Sequence, residues 1–134
     1  MGMAANLYKT PMTDQVSGFD LDGGAAEDRP VDLVHLSRFT MGNRDLEREV
    51  LSLFRKQSAL FIDRMRQAED DQAWREAAHT MKGSARGIGA WAVGDAAQDA
   101  EQLTGESRLQ FGAAAIAKID RTFKEACQFI DGIL

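Results

Sequence analysis

The 134 residues, 44% hydrophobic and 28% charged, suit one domain with a core of its own and leave little room for two. A net charge of −5 and a pI near 5.0 give no basic field, so nucleic-acid binding is not expected. One cysteine, Cys127, excludes an internal disulfide, no paired Cys/His spacing suggests zinc, and Cys127 is expected as a small core residue.

Residues 1–30 carry Pro11, Gly18, Gly23, Gly24 and Pro30 with little periodicity and read as an irregular tail, from which Tyr8, Val16, Phe19 and Leu21 could pack on the rest. The opening residues lack the charged-then-apolar build of a signal peptide, and Asn6 stands where myristoylation wants Ser or Thr. No apolar run approaches the length of a membrane span, so no membrane contact is expected and the cytoplasm is the default location. Asp32 caps a short helix bearing Leu33, Leu36 and Phe39, which Gly42 stops. His35 in this piece has no carboxylate or glycine constellation, which assigns it to packing or to the surface. Asn43 caps the next helix, whose inward stripe is predicted as Leu46, Val50, Leu53, Phe54, Phe61 and Met65. Leu60 falls roughly 110° from that stripe and is a candidate for an exposed docking patch.

After Asp70 and Asp71, apolar residues at Ala73, Trp74, Ala77, Ala78, Met81, Ala85 and Ile88 follow the i, i+3, i+4, i+7 spacing of an amphipathic helix. His79 lies roughly 160° from Met81 on this wheel, in the polar half with Gln72, Arg75, Glu76, Lys82, Gly83 and Arg86. It should therefore face water. Gly87 and Gly89 separate this helix from one bearing Val93, Ala96, Ala97, Ala100 and Leu103. Ser107-Arg108-Leu109-Gln110 reads as a capping box opening a last helix with Ile116, Ile119, Phe123, Cys127 and Ile130 inward. Strand-like alternation is absent. The expected fold is all-α: an antiparallel four-helix bundle over residues 31–134, with a short extra N-terminal helix and the tail 1–30 before it.

The chemistry concentrates on one helix. Imidazole in general offers an unprotonated ring nitrogen as a nucleophile near neutral pH. Lys82, three residues on, brings an ammonium to the same place, and Gly83, four residues on, leaves space above the ring at a cost of about 1 kcal/mol in helix stability. Position and positive charge are what acceptance of a phosphoryl group needs. The segment Gly83 to Gly89 lacks the Gly-Lys-Ser/Thr ending of a phosphate-binding loop, and no kinase catalytic-loop signature is present, so the phosphoryl group must come from another protein.

His79, Met81, Lys82, Gly83, Ser84, Gly89 and Ala90 match the pattern His-x-Leu/Met-Lys-Gly-Ser/Ala followed by Gly-Ala. In these residues the chain resembles a histidine-containing phosphotransfer domain, over roughly residues 32–134. The resemblance implies a relay that passes a phosphoryl group to and from receiver-domain aspartates, with His79 phosphorylated, Lys82 steadying the phosphoryl charge and Gly83 admitting the receiver. It also implies a polar residue on the following helix that bonds the other ring nitrogen. Glu101 occupies that position, with Gln98 and Gln102 as neighbours; a glutamate orients the ring and raises its basicity, yet opposes an incoming anion as a glutamine would not.

The expected partners are response-regulator receiver domains and a sensor or hybrid histidine kinase, met through Arg75, Arg86 and Leu60. No cofactor is expected in this chain; magnesium would come from the receiver, and the chain is expected to be a monomer without kinase activity of its own. Two other readings compete. A non-catalytic adaptor would bind receivers or kinases without turning over phosphate, and an enzyme using His79 as a general base would need a concave pocket that an outward imidazole on a bundle does not suggest.

Overall fold

Apolar residues recurring every three or four positions can be buried together only if helices lie side by side. The computed structural model describes residues 29–134 and contains α1 (Leu33–Thr40), α2 (Arg44–Gln67), α3 (Asp71–Ile88), α4 (Trp91–Glu101) and α5 (Gly105–Ile133). Tyr8, Val16, Phe19 and Leu21 lie outside the described residues. Links of two or three residues join α2 to α5 in succession and make neighbours antiparallel. Around the ring, α3 packs on α2 along one flank and on α4 along the other, while α5 closes against α4 and α2. The short α1 rests on α2 and α3, where α3 finishes.

Short polar side chains start the helices where the sequence suggests. Asp32 accepts from the backbone N–H of His35 at 3.1 Å, Asn43 from Leu46 at 3.0 Å and Asp70 from Ala73 at 2.8 Å. Each such cap contributes about 1 kcal/mol. At the far end of α1, Met41 already turns left-handed with φ 54°, so the helix stops at Thr40, before Gly42. The capping box of α5 is displaced from its expected place: Thr104 is the cap, and Ser107 is the third helical residue, whose hydroxyl accepts from the Thr104 N–H at 2.9 Å. Ser107 thus plays the back-bonding part that glutamate or glutamine more often takes, which is why the sequence pattern misplaced the start.

Inside the ring, α3 contributes Trp74, Ala77, Ala78, Met81, Ala85 and Ile88, as its periodicity predicts, although Ala73 is exposed. From α4 come Val93, Ala96, Ala97 and Ala100, and these alanines let the α3 and α4 backbones approach closely. The predicted α2 stripe requires correction. Its buried residues are Leu51, Phe54, Ser58, Ile62 and Met65, whereas Leu46 and Leu53 are exposed and Val50 and Phe61 half-buried. α2 carries apolar residues on two faces, and the polar Ser58 at the centre of the true stripe disguises it. The Ser58 hydroxyl is buried without a hydrogen-bond partner among the described residues.

The turn between α3 and α4 is locked to α1. Gly89 has φ 84°, and a Cβ there would stand 2.8 Å from the carbonyl oxygen and 2.9 Å from the Cβ of Asp32. The Asp32 N–H donates to the Gly89 carbonyl at 2.9 Å, while the Trp91 indole N–H donates to the Asp32 carboxylate at 3.1 Å. His35 meets the Trp91 ring edge-on at 4.8 Å, which settles its role as packing. A left-handed residue in a space with no room for a methyl group makes Gly89→Ala a destabilising change. The expected loss is about 1–3 kcal/mol, read as a melting temperature lower by roughly 5–15 °C.

Candidate functional site

Close contact between α3 and α4 fixes the site. The buried Trp74 indole N–H donates to the Ala100 carbonyl at 2.7 Å, pinning the last turn of α4 against α3. The next residue, Glu101, is thereby held opposite His79. His79 Nδ1 stands 2.9 Å from Glu101 Oε2, and Lys82 Nζ stands 2.8 Å from Oε1. The Lys82 contact is an ion pair, since Oε1 receives no well-directed hydrogen bond. The imidazole is 66% exposed, while Glu101 and Lys82 are only 14% and 20% exposed.

The charges decide which ring nitrogen is free. Burial pushes the Glu101 carboxyl upward, but the close Lys82 ammonium and the contact with His79 outweigh it and leave the group below its ordinary value. Glu101 is therefore an ionised carboxylate near neutral pH, and a carboxylate can only accept. In the neutral ring Nδ1 must carry the proton, so Nε2 keeps its lone pair. Nε2 has no hydrogen-bond partner among the described residues. The result is an oriented nitrogen nucleophile directed at solvent, with a cation at its base.

The surroundings are open on one side and built on the other. Among the described residues nothing lies within 4 Å of where a Gly83 Cβ would stand, so this glycine, one turn on from His79, leaves clear backbone beside the imidazole. Arg86 lays its stem across α4 at Gly94, where a Cβ would come within 2.9 Å of its Cγ. The Arg86 guanidinium donates to Gln98 Oε1 at 2.7 Å and lies 3.5 Å from Asp95. Gln98 thus serves Arg86, and Glu101 is the residue that reaches the ring. Gly94 and Asp95 were not singled out by the sequence, where a glycine within a helix is the only hint.

Arg75 is exposed on the outer surface of α3. Leu60 is also exposed, but it belongs to α2, on the flank of α3 opposite Glu101. A groove of about 460 Å³ lies on that α2 flank, lined by Phe61, Arg64, Ala73, Ala77 and Thr80 among others, and His79 is not in its wall. Cys127, half-buried, has its thiol pushed up by burial and is no rival nucleophile. Among the described residues there is no cluster of three or more potential metal ligands and no helix long and apolar enough to cross a membrane.

The family model described as the Hpt domain matches residues 49–129, well over half of the chain. The chain belongs to the Hpt domain family. Two solved structures share the fold. Histidine-containing phosphotransfer protein B from Pseudomonas aeruginosa PAO1 superposes with a TM-score of 0.70 at 23% identity, covering 78% of this chain and 94% of that one. The histidine phosphotransferase ShpA from Caulobacter crescentus gives 0.58 at 29% identity, covering 78% and 89%. No curated protein matches the chain. This Hpt domain therefore has a histidine phosphotransfer role in the phosphorelays of two-component signalling, in which Hpt domains work with kinases and receiver domains.

Proposed function

We propose that His79 is the residue that carries the phosphoryl group. The observation behind this reading is the 2.9 Å contact between Nδ1 and the Glu101 carboxylate, which commits the ring proton to one side and leaves Nε2 as nucleophile on the other. In the forward step the Nε2 lone pair attacks the phosphorus of a receiver's aspartyl phosphate. The N–P bond forms, the P–O bond to the aspartate breaks, and its electron pair returns to that carboxylate. No proton leaves Nε2, and the Nδ1 proton stays on the ring against Glu101. Reversal delivers the group to a receiver aspartate.

Lys82 moves its charge toward the arriving phosphoryl oxygens while remaining close to Glu101, so the carboxylate does not stand as an unscreened anion beside them. The receiver supplies magnesium. Arg75 and Arg86, on the His79 face of α3, contact the receiver or the sensor or hybrid kinase, with Arg86 held ready by Gly94 and Gln98. Leu60, on the other flank of α3, is left out of this contact.

Labelling with phosphoramidate and with a phosphorylated receiver tests the reading. One phosphoryl group is expected per chain, on His79, lost in acid and retained in alkali. A chain that binds receivers yet takes no label from either donor is an adaptor.

Gly83 separates access from packing. With nothing near its missing Cβ, Gly83→Ala is expected to leave the fold as stable or up to about 1 kcal/mol more stable. Gly83→Leu fills the space beside the imidazole and is expected to slow transfer from a receiver about a hundredfold, because the reacting atoms are held apart. Phosphoramidate, a small donor, should still label that variant at the wild-type rate. Normal receiver transfer in a destabilised Gly83→Leu chain would assign the glycine to packing.

A further inference from the structure

Leu46, Leu53 and Leu60 recur every seven residues along α2 and are 37%, 53% and 47% exposed. Seven residues are close to two turns, so the three form a stripe that drifts by only about 20° per step and runs roughly 21 Å. The bundle core uses a different face of the same helix, through Leu51, Phe54, Ser58, Ile62 and Met65. A leucine every seventh residue on an outward face is the seam by which one helix packs along another.

The charges beside the seam point to its occupant. Glu49 and Lys56 are exposed, stand about one turn on either side of Leu53, and make no ion pair among the described residues. We propose that this stripe is a contact between two copies of the chain, packed antiparallel about a two-fold axis at Leu53. The axis places Leu46 against Leu60 of the partner subunit, Leu53 against its own image, and Glu49 beside Lys56 of the partner subunit, twice over. A parallel pair would align the leucines equally well but would put the two Glu49 carboxylates, like the two Lys56 ammoniums, on opposite sides of the seam, where neither meets an opposite charge from this pair. Charge therefore selects the antiparallel arrangement.

A seam of three leucines falls short of the roughly 20–30 residues a side of a stable interface, so the pair is reversible and forms at micromolar concentrations or above. It also leaves the phosphotransfer site uncovered, because His79 meets Glu101 of α4 across the other flank of α3. Self-association and acceptance of phosphate are thus separable.

Sedimentation equilibrium of the full chain, from about 1 µM to about 1 mM, tests the contact. The average mass should rise from 14.7 kDa toward twice that value. Leu53→Asp, at an exposed position, should weaken association at least tenfold with the helical circular dichroism unchanged, and phosphoramidate labelling of both proteins should be equal. Glu49→Lys alone should weaken association, and Glu49→Lys with Lys56→Glu should restore it. A monomer at every concentration would overturn the proposal, as would a dimer indifferent to Leu53→Asp and to the charge exchange. A monomeric wild type whose receiver affinity collapses on Leu53→Asp would assign the stripe to receivers and overturn it equally.

Discussion

A His79→Gln chain is expected to take up no phosphoryl group from a phosphorylated receiver, a loss of at least about a thousandfold, which is the scale of removing a nucleophile. Glutamine can still accept or donate a hydrogen bond toward Glu101 but offers no nitrogen lone pair for attack. His79 is 66% exposed and lies off the core of α3, so the variant should melt within a few degrees of the parent. Intact-mass analysis after incubation with the phospho-receiver reads both species directly. His35 is the internal control: it packs edge-on against Trp91 beside the Asp32 cap. Label that persists in His79→Gln, or that maps to His35, would remove His79 from the relay.

The two histidines also mark how far the sequence could be read. The α3 wheel places His79 outward and Trp74, Met81 and Ile88 inward because that helix, Ala73 apart, follows one amphipathic pattern. Lys82 and Gly83 follow from helical spacing alone, since i+3 and i+4 are neighbours on any helix. Contacts between helices are less legible. That Glu101 and not Gln98 reaches His79 depends on the axial offset of α3 and α4, which Trp74 fixes by bonding the Ala100 carbonyl. A slip of three residues, nearly one turn, would exchange the candidates without altering either wheel. Likewise Lys82, predicted as a solvated cation, is mostly covered and paired with that same Glu101.

On α2 the difficulty is of another kind. Leu46, Leu53 and Leu60 outweigh Ser58 in any hydrophobic count, yet Ser58 is buried and the leucines are exposed. Periodicity reports that a helix has apolar faces, not which face the domain consumes. The lock at Gly89 was equally hidden, because its partners, Asp32 and Trp91, lie 59 residues apart in sequence. There the sequence showed the glycine without the wall it avoids.

Glu101→Ala should slow phosphotransfer through His79 about a hundredfold, the effect expected when a reacting group loses its fixed orientation. Alanine removes the acceptor at Nδ1, frees the ring to rotate and to change tautomer, and leaves Lys82 without its partner. Glu101→Gln divides that effect in two. Its amide oxygen can still accept from Nδ1, so orientation survives, but the negative charge is gone. As Nε2 forms its bond to phosphorus the ring becomes cationic, and the carboxylate 2.9 Å from Nδ1 steadies that cation. The same carboxylate repels the phosphoryl group, but from across the ring, at about twice the distance, and Lys82 lies against it. Attraction therefore exceeds repulsion, and Glu101→Gln is expected to fall between wild type and Glu101→Ala, about tenfold below the former. The advantage of glutamate over glutamine should depend on pH with a definite sign. Although burial raises the Glu101 carboxyl, Lys82 and His79 lower it more, so it stays ionised through the neutral range. Its contribution to stability is complete above the unfolded glutamate value and is lost as pH falls through the lower folded value. Pre-steady-state transfer rates for the three proteins at neutral pH decide the matter: a glutamine variant as fast as wild type would reduce Glu101 to a hydrogen-bond acceptor, and an equally fast alanine variant would remove it from the site.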